Sequence, residues 1–354
     1  LAHPASVAAQ PGRGVYRALV HRKKLLLLAL GVVLVLSVIA DLGLGPARYS
    51  MREVVLALAG STEVSHQVGV VIWDIRIPVA LMAVVVGAAL SAAGAQMQTI
   101  LNNPLASPFT LGISAAASFG ASLALVFGVG LLPFAIEYVV SINALLMAMG
   151  AALFIHLMSQ RRGVTVETIV LLGITLVFTF NALLALVQFL ASEQALAAVV
   201  FWTMGSLTRA TWPKLAITTA ILVVALPLFF RRAWALTALR LGEDKAASFG
   251  VNVRWLRLET MLIVSVLAAV PVAFVGTIGF VGLVGPHIAR MMIGEDQRFF
   301  LPASALAGAA MLSLTSVISK SLIPGSIIPI GIITALVGVP FLFSLIMTNR
   351  RRAW

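Results

Sequence analysis

Long apolar runs separated by short polar stretches dominate this chain. Ten stand out, at 25–45, 75–100, 108–130, 134–159, 166–190, 214–230, 257–276, 280–293, 300–320 and 330–348. A helix crossing a hydrocarbon core needs about 20 mainly apolar residues, and fewer when other helices bury it. The pattern predicts an all-α, polytopic membrane protein of about ten transmembrane helices. One transmembrane domain covers 25–348, preceded by a basic segment (1–24) and followed by a basic tail (349–354). The apolar segment 194–206 (QALAAVVFWTMGS) is too short to cross and is expected to lie at the surface or to re-enter.

Composition agrees. Hydrophobic residues make up 61% of the chain and charged residues 10%, against about 25% charged in soluble domains. Mean hydropathy is +1.08. The run after Lys24 is too long for a cleaved leader and predicts a retained first helix. A formal charge of +12 would suit a nucleic-acid binder only if one soluble face gathered it, and no such face can be built here.

The charge is informative span by span, because cytoplasmic loops are enriched in Lys and Arg. With ten spans and both termini cytoplasmic, the inner set is Arg13, Arg17, Arg22, Lys23, Lys24, Arg161, Arg162, Arg231, Arg232, Arg240, Lys245, Arg254, Arg257, Arg290, Arg298 and Arg350 to Arg352. Arg48, Arg52, Arg76, Arg209, Lys214 and Lys320 fall outside, where Asp41, Glu53, Glu63, Asp74, Glu137 and Glu193 balance them. Merging two of the later spans would spoil that asymmetry. Trp73, Trp202, Trp212, Trp234 and Trp255 lie near span edges, where amphipathic rings favour headgroup depth.

Glycine, alanine and serine are dense within the spans, as in GAALSAAGAQ (87–96), which predicts close helix packing. Gly276, Gly279, Gly282 and Gly285 followed by Pro286 predict a short or broken span, tolerated where it is buried or lines a cavity. Ionisable groups within spans are sparse: Asp41, Glu137, Glu167 and Glu259 sit near span ends, and His156 and His287 are isolated. No carboxylate relay for ion coupling is visible. Asn143, Asn181, Gln96, Gln98 and Gln188 read more readily as interhelical hydrogen-bond residues than as a polar route. The chain has no cysteine, no paired-histidine metal spacing and no GxxxxGK[ST] phosphate loop. It is therefore not expected to be an enzyme, to bind a cofactor or to hydrolyse ATP itself.

One stretch stands apart: LRLGEDKAASFGVNV, residues 239–253. Leu241, Ala246, Phe249 and Val251 form a small apolar set among Arg240, Glu243, Asp244 and Lys245, and Gly250 stands at a helix C-cap position. One or two turns bury too little to hold a bilayer surface, and two acids disfavour anionic lipid. A groove in a partner protein suits this helix better.

The motifs DIRIP (74–78), QMQTILNNPLASPFTLGIS (96–114), LGEDKAASFGVNV (241–253), GTIGFVGLVGPHIAR (276–290), LPASALAGAAMLS (301–313) and PIGIITALVGVPFLFSLI (329–346) occur in this order. Together they resemble the permease subunit of type II ATP-binding-cassette importers for iron–siderophores, haem and cobalamin, the FecCD-like family. The resemblance covers about residues 70–348 and implies a multi-pass protein of the inner (plasma) membrane. It implies alternating access between two permease copies surrounded by lipid, a homodimer served by an external substrate-binding protein. Two ATP-binding subunits inside would use ATP and Mg. Leu241, Gly242, Glu243, Ala246, Phe249 and Gly250 are then the coupling helix that meets the ATPase. Arg76 would dock the binding protein; the usual second arginine is Val79 here, and a later one is Lys320, so Arg48, Arg52 or Arg209 could share the role. The inner gate would lie at Asn103, Pro104 and Leu105 and at Val166 and Glu167, where the family favours small hydroxyl residues. A ferric siderophore ranks ahead of haem, and cobalamin third. An ion-coupled secondary carrier is the rival from another class.

Overall fold

The computed structural model describes residues 11–47, 49–131, 136–161 and 163–349. Segment 1–10, Arg48, Arg162 and the tail from Arg350 fall outside the described residues, as do the side chains of Arg13 and Glu137.

Fifteen α-helices are described. They are α1 (Pro11–Gly43), α2 (Met51–Leu58), α3 (His66–Val70), α4 (Ile77–Ile100), α5 (Ile113–Phe127), α6 (Ile136–Ser159), α7 (Val166–Phe189) and α8 (Glu193–Thr203). After these come α9 (Trp212–Arg231), α10 (Ala233–Leu239), α11 (Glu243–Ser248), α12 (Val253–Val275), α13 (Val281–Ile293), α14 (Gln297–Ser321) and α15 (Ile330–Asn349). Among the described residues, seven helical segments are long and apolar enough to cross a membrane. Shorter apolar helices at α5, α13 and Ile330–Ser344 supply the other three expected spans.

Boundaries differ from expectation in three places. α1 is already helical through the basic stretch before Leu25, from the first described residue, Pro11. The run expected from 75 is one helical segment from His66, with a π-helical turn at Val71–Arg76 joining α3 to α4. The run expected from 108 becomes helical only at Ile113. Ser107 and Thr110 bond to each other through side chain and backbone, and Gly112 takes a left-handed φ of 80° as the N-cap. Segment 194–206 forms the separate, short α8.

The core is centred on α4, which packs against α14, α13, α12 and α9 and is buried on nearly every face. Lipid gives helices no hydrophobic reason to associate, so close approach and interhelical hydrogen bonds must hold them. Small residues supply the approach: a Cβ on Gly94 would collide with the Gly282 carbonyl, and one on Gly87 with the Gly308 carbonyl. Polar ties supply the rest. Ser91 Oγ donates to the Ser304 carbonyl (2.5 Å), Gln96 Nε2 to Gln297 Oε1 (3.0 Å) and Gln297 Nε2 to Thr99 Oγ1 (2.9 Å). Asn143 closes the α5–α6 hairpin, accepting from Leu131 N (2.9 Å) and donating to the Val129 carbonyl (2.7 Å). Gln96, Gln98 and Asn143 are thus structural ties; Asn181 is exposed on α7 and Gln188 half-buried.

The glycine-rich stretch after α12 is a break followed by a short helix. Residues 276–280 are irregular, and Phe280 begins α13 with a φ of 68°, unusual for a bulky residue. The end of α8 and the start of α15 fill the gap: Ser206 N donates to Val275 O (2.7 Å), Gly331 N to Met204 O (2.9 Å) and Ile330 N to Gly205 O (3.2 Å). The segments beside the break are thereby tied to one another through backbone hydrogen bonds.

Candidate functional site

The charged island folds as expected and its geometry follows from two glycines. Gly242 precedes α11 with φ 108° and ψ 153°, and nothing stands within 4 Å of where its Cβ would be. Glycine is there for backbone freedom, not for space. Gly250, with φ 82°, ends the helix. Its N–H donates to Ala247 O (2.9 Å) and that of Val251 to Ala246 O (3.1 Å), the paired closure of a Schellman motif. The result is a stiff, sharply bounded turn and a half.

Its side chains sort by face. Ala246 is fully buried against the bundle, whereas Leu241 and Phe249 are 57% and 55% exposed. Trp234 of α10 stacks obliquely on Phe249, with ring centroids 6.5 Å apart, and is itself exposed. Glu243 is held at its base by Arg257 of α12. The result is an exposed apolar pair on a short, rigid, charged element.

The expected inner gate residues lie on two neighbouring segments. Asn103 Oδ1 accepts from Leu105 N (2.9 Å) and shapes the turn, with Pro104 and Leu105 exposed. That loop then runs along α7: a Cβ on Gly173 would press on Leu111, and one on Gly112 on Leu176. Val166 is half-buried and Glu167 exposed in the first turn of α7, where an acid complements the helix dipole. Among the described residues no hydrogen bond joins Asn103 or Leu105 to Val166 or Glu167.

The two residues expected to dock a binding protein are engaged within the chain. Arg76 is 5% exposed and faces inward. Its Nη1 donates to the carbonyls of Leu42 (2.7 Å) and Gly43 (3.3 Å), its Nη2 to that of Ala47, and the guanidinium lies 5.1 Å from the Tyr49 ring. Lys320 is paired with Asp41 rather than presented outward. Arg76 ties the end of α1 and the segment after it to the bundle and Lys320 ties the last turn of α1 to α14, since a buried charge needs an opposite charge or hydrogen-bond acceptors. Of the alternatives, Arg52 is exposed and paired with Glu63 (3.2 Å), while Arg209 is half-buried over Trp202. Trp202 is 4% exposed, so it belongs to the core and not to an interfacial belt.

Sequence reasoning missed a junction beneath the island. Arg240 grips Glu295 with two nitrogens and donates to Asn102 Oδ1 (3.1 Å); Arg290 lies 2.9 Å from the same Glu295 and donates to Gln98 (2.8 Å). Counted by side, these arginines are only inner charge. The signal available was Asn102 itself: an asparagine before Asn-Pro is suited to a left-handed backbone, and its φ is 43°.

A cavity of about 650 Å³ opens beside the break, between Phe109, Met204, Thr277, Phe280, Leu336 and Val339. Its wall is almost wholly apolar.

The sequence profile of the FecCD transport family matches residues 33–348. The chain belongs to that family. It is 33% identical to the hemin transport system permease protein HmuU of Yersinia pestis, over 92% of this chain and 97% of that protein. It is 32% identical to the molybdate import system permease protein MolB of Haemophilus influenzae, over 91% and 95%. A solved metal-chelate type ABC transporter in an inward-facing conformation shares 31% identity with a TM-score of 0.79, over 91% of this chain and 98% of that one. This FecCD protein is accordingly a multi-pass inner-membrane permease of the ABC importer class, and ATP hydrolysis belongs to a separate subunit. Family membership explains why so little reactive chemistry lines the bundle: a permease presents surfaces and moves them.

Proposed function

We propose that this FecCD permease, as a pair of identical copies, carries an iron chelate into the cytoplasm by alternating access. A ferric siderophore is the first assignment and haem the second. Two cytoplasmic ATPase subunits drive the cycle and an external binding protein delivers the cargo. Both chain termini and α11 face the cytoplasm, in keeping with the distribution of Lys and Arg. The observation that carries this proposal is α11: a short helix capped at both ends by glycine, anchored through Glu243 and Ala246, with Leu241 and Phe249 turned outward. Such an element can seat in a groove of a motor subunit and return its motion to the bundle without deforming.

The named relatives support a metal-containing cargo, and the apolar wall beside Phe280 suits a bulky chelate better than a bare ion. Molybdate, the cargo named for one relative, is the small-anion alternative.

Reconstitution in vesicles tests the proposal. The permease with its copurifying ATPase and binding protein should accumulate one of ferric siderophore, hemin, cobalamin or molybdate only when ATP is present on the α11 side. Uphill uptake by the permease alone would establish an ion-coupled carrier instead. Thermal protection of the binding protein by the same four compounds identifies the cargo.

A further inference from the structure

We propose that Arg240 is the positioning residue through which movement of α11 reaches the inner gate loop, acting on Asn102. This rests on α11 being the ATPase contact.

The chain joins α11 only to α10 and α12, so its motion reaches the loop at 101–105 across packed elements and side-chain contacts rather than directly along the chain. Three arginines from three elements converge there. Arg290 of α13 donates to Gln98 Oε1 (2.8 Å), Arg257 of α12 to the Ile100 carbonyl (3.4 Å), and Arg240, at the start of the island, to Asn102 Oδ1 (3.1 Å). All three targets lie on the last turn of α4 or just past it, where unpaired carbonyls and the negative end of the helix dipole attract cations.

Each of the three arginines also pairs with a carboxylate on the island or on the turn beside it. Arg257 pairs with Glu243 of α11 itself. Arg240 holds Glu295, in the turn between α13 and α14, through Nε (3.1 Å) and Nη2. Arg290 lies 2.9 Å from the same carboxylate. The arginine side chains are 15–19% exposed, so water and salt screen these pairs less than surface ones. Arg240 therefore spans island, gate loop and α13–α14 turn with one planar fork, which lysine could not reproduce.

Asn102 is fitted to receive this contact. Its backbone holds a left-handed φ of 43° while its Oδ1 accepts from Arg240, and Asn103-Pro104-Leu105 follow at once. Proline stiffens the segment, so a displacement at Asn102 is passed to Leu105.

The chain has no cysteine, so Leu105→Cys gives a single thiol at a position already 48% exposed. The experiment follows its maleimide labelling rate in the full permease–ATPase complex, in lipid nanodiscs, without nucleotide and with ATP plus vanadate. In the parent the rate should change by about 5-fold or more, as coupling of 1 kcal/mol or above requires. Arg240→Gln, Arg240→Lys and Asn102→Gly should each reduce the response below about 2-fold, while the ATPase stays bound and hydrolyses ATP. Combining Arg240→Gln with Asn102→Gly should lose no more than either alone. If Arg240 variants fail to fold, Asn102→Gly decides, since glycine adopts the left-handed backbone freely. A full response in Asn102→Gly overturns the proposal and leaves α11 as the ATPase contact. Rescue by Arg240→Lys shows that charge alone acts and overturns the positioning role. A parent that does not respond to nucleotide removes the ATPase contact and this proposal together.

Discussion

Lys320 Nζ lies 2.8 Å from Asp41 Oδ2, with the two side chains 6% and 0% exposed. A pair so buried has traded water for each other, and neither partner can be removed alone without stranding a charge. Lys320→Met or Asp41→Asn should therefore cost about 3–5 kcal/mol, seen as a lowered melting temperature in detergent. Lys320→Met combined with Asp41→Leu should recover most of the loss. If Lys320→Met instead left stability unchanged and only weakened binding-protein docking, the lysine would be a surface contact after all.

Arg76 gives a second test of the outer surface. Its hydrogen bonds to the carbonyls of Leu42, Gly43 and Ala47 need the guanidinium fork. Arg76→Lys should expose the 42–47 segment to proteolysis and cost about 1–3 kcal/mol for each carbonyl left unpaired. Any loss of binding-protein docking in Arg76→Glu then has to be judged against the integrity of that segment, and protease resistance equal to the parent would refute the structural role.

The α4–α13 contact predicts a steep response to one methyl group. Gly94→Ala drives a Cβ into the Gly282 carbonyl and should destabilise the bundle by about 3 kcal/mol or more. Gly31→Ala, on the open side of α1 with nothing within 4 Å, should be neutral or stabilise by up to about 1 kcal/mol. Thermal melts of the two variants side by side settle the point; equal melts would mean the helices do not approach as described.

The outward pair on the island predicts a loss of binding without a loss of fold. Leu241→Ser and Phe249→Ser should each leave stability within about 0.5 kcal/mol of the parent. Each should weaken retention of the ATPase by about 1–2 kcal/mol, or ~5–30-fold in Kd. Unfolding of either variant would place these side chains in the core.

The ten spans were legible because lipid imposes a length and a polarity that no soluble context does, and each expected run has its helix. The island was legible for the opposite reason: Glu243 and Asp244 are costly within a bilayer, and with Gly250 they are natural at a capped helix outside it. What stayed hidden was partnership at a distance. Arg76 and Lys320 carry charge at the outer edge in sequence, and only the fold shows the Leu42 carbonyl and the Asp41 carboxylate waiting for them. The helix start at His66 was missed because Asp74 and Arg76 look like loop residues until the π-turn places them. Arg240 and Glu295 stand 55 positions apart, and no periodicity links them.

The central helix also sets an order of events in biosynthesis. Ser91 and Gln96 of α4 find their partners on α14, 213 and 201 positions later in the chain. At roughly 5–20 residues per second a ribosome needs about 10–40 s to make that stretch. Through that interval α4 must wait at the insertion machinery with its amide and hydroxyl groups unpaired, shielded by water, chaperone or translocon wall, before the last third of the chain arrives to enclose it.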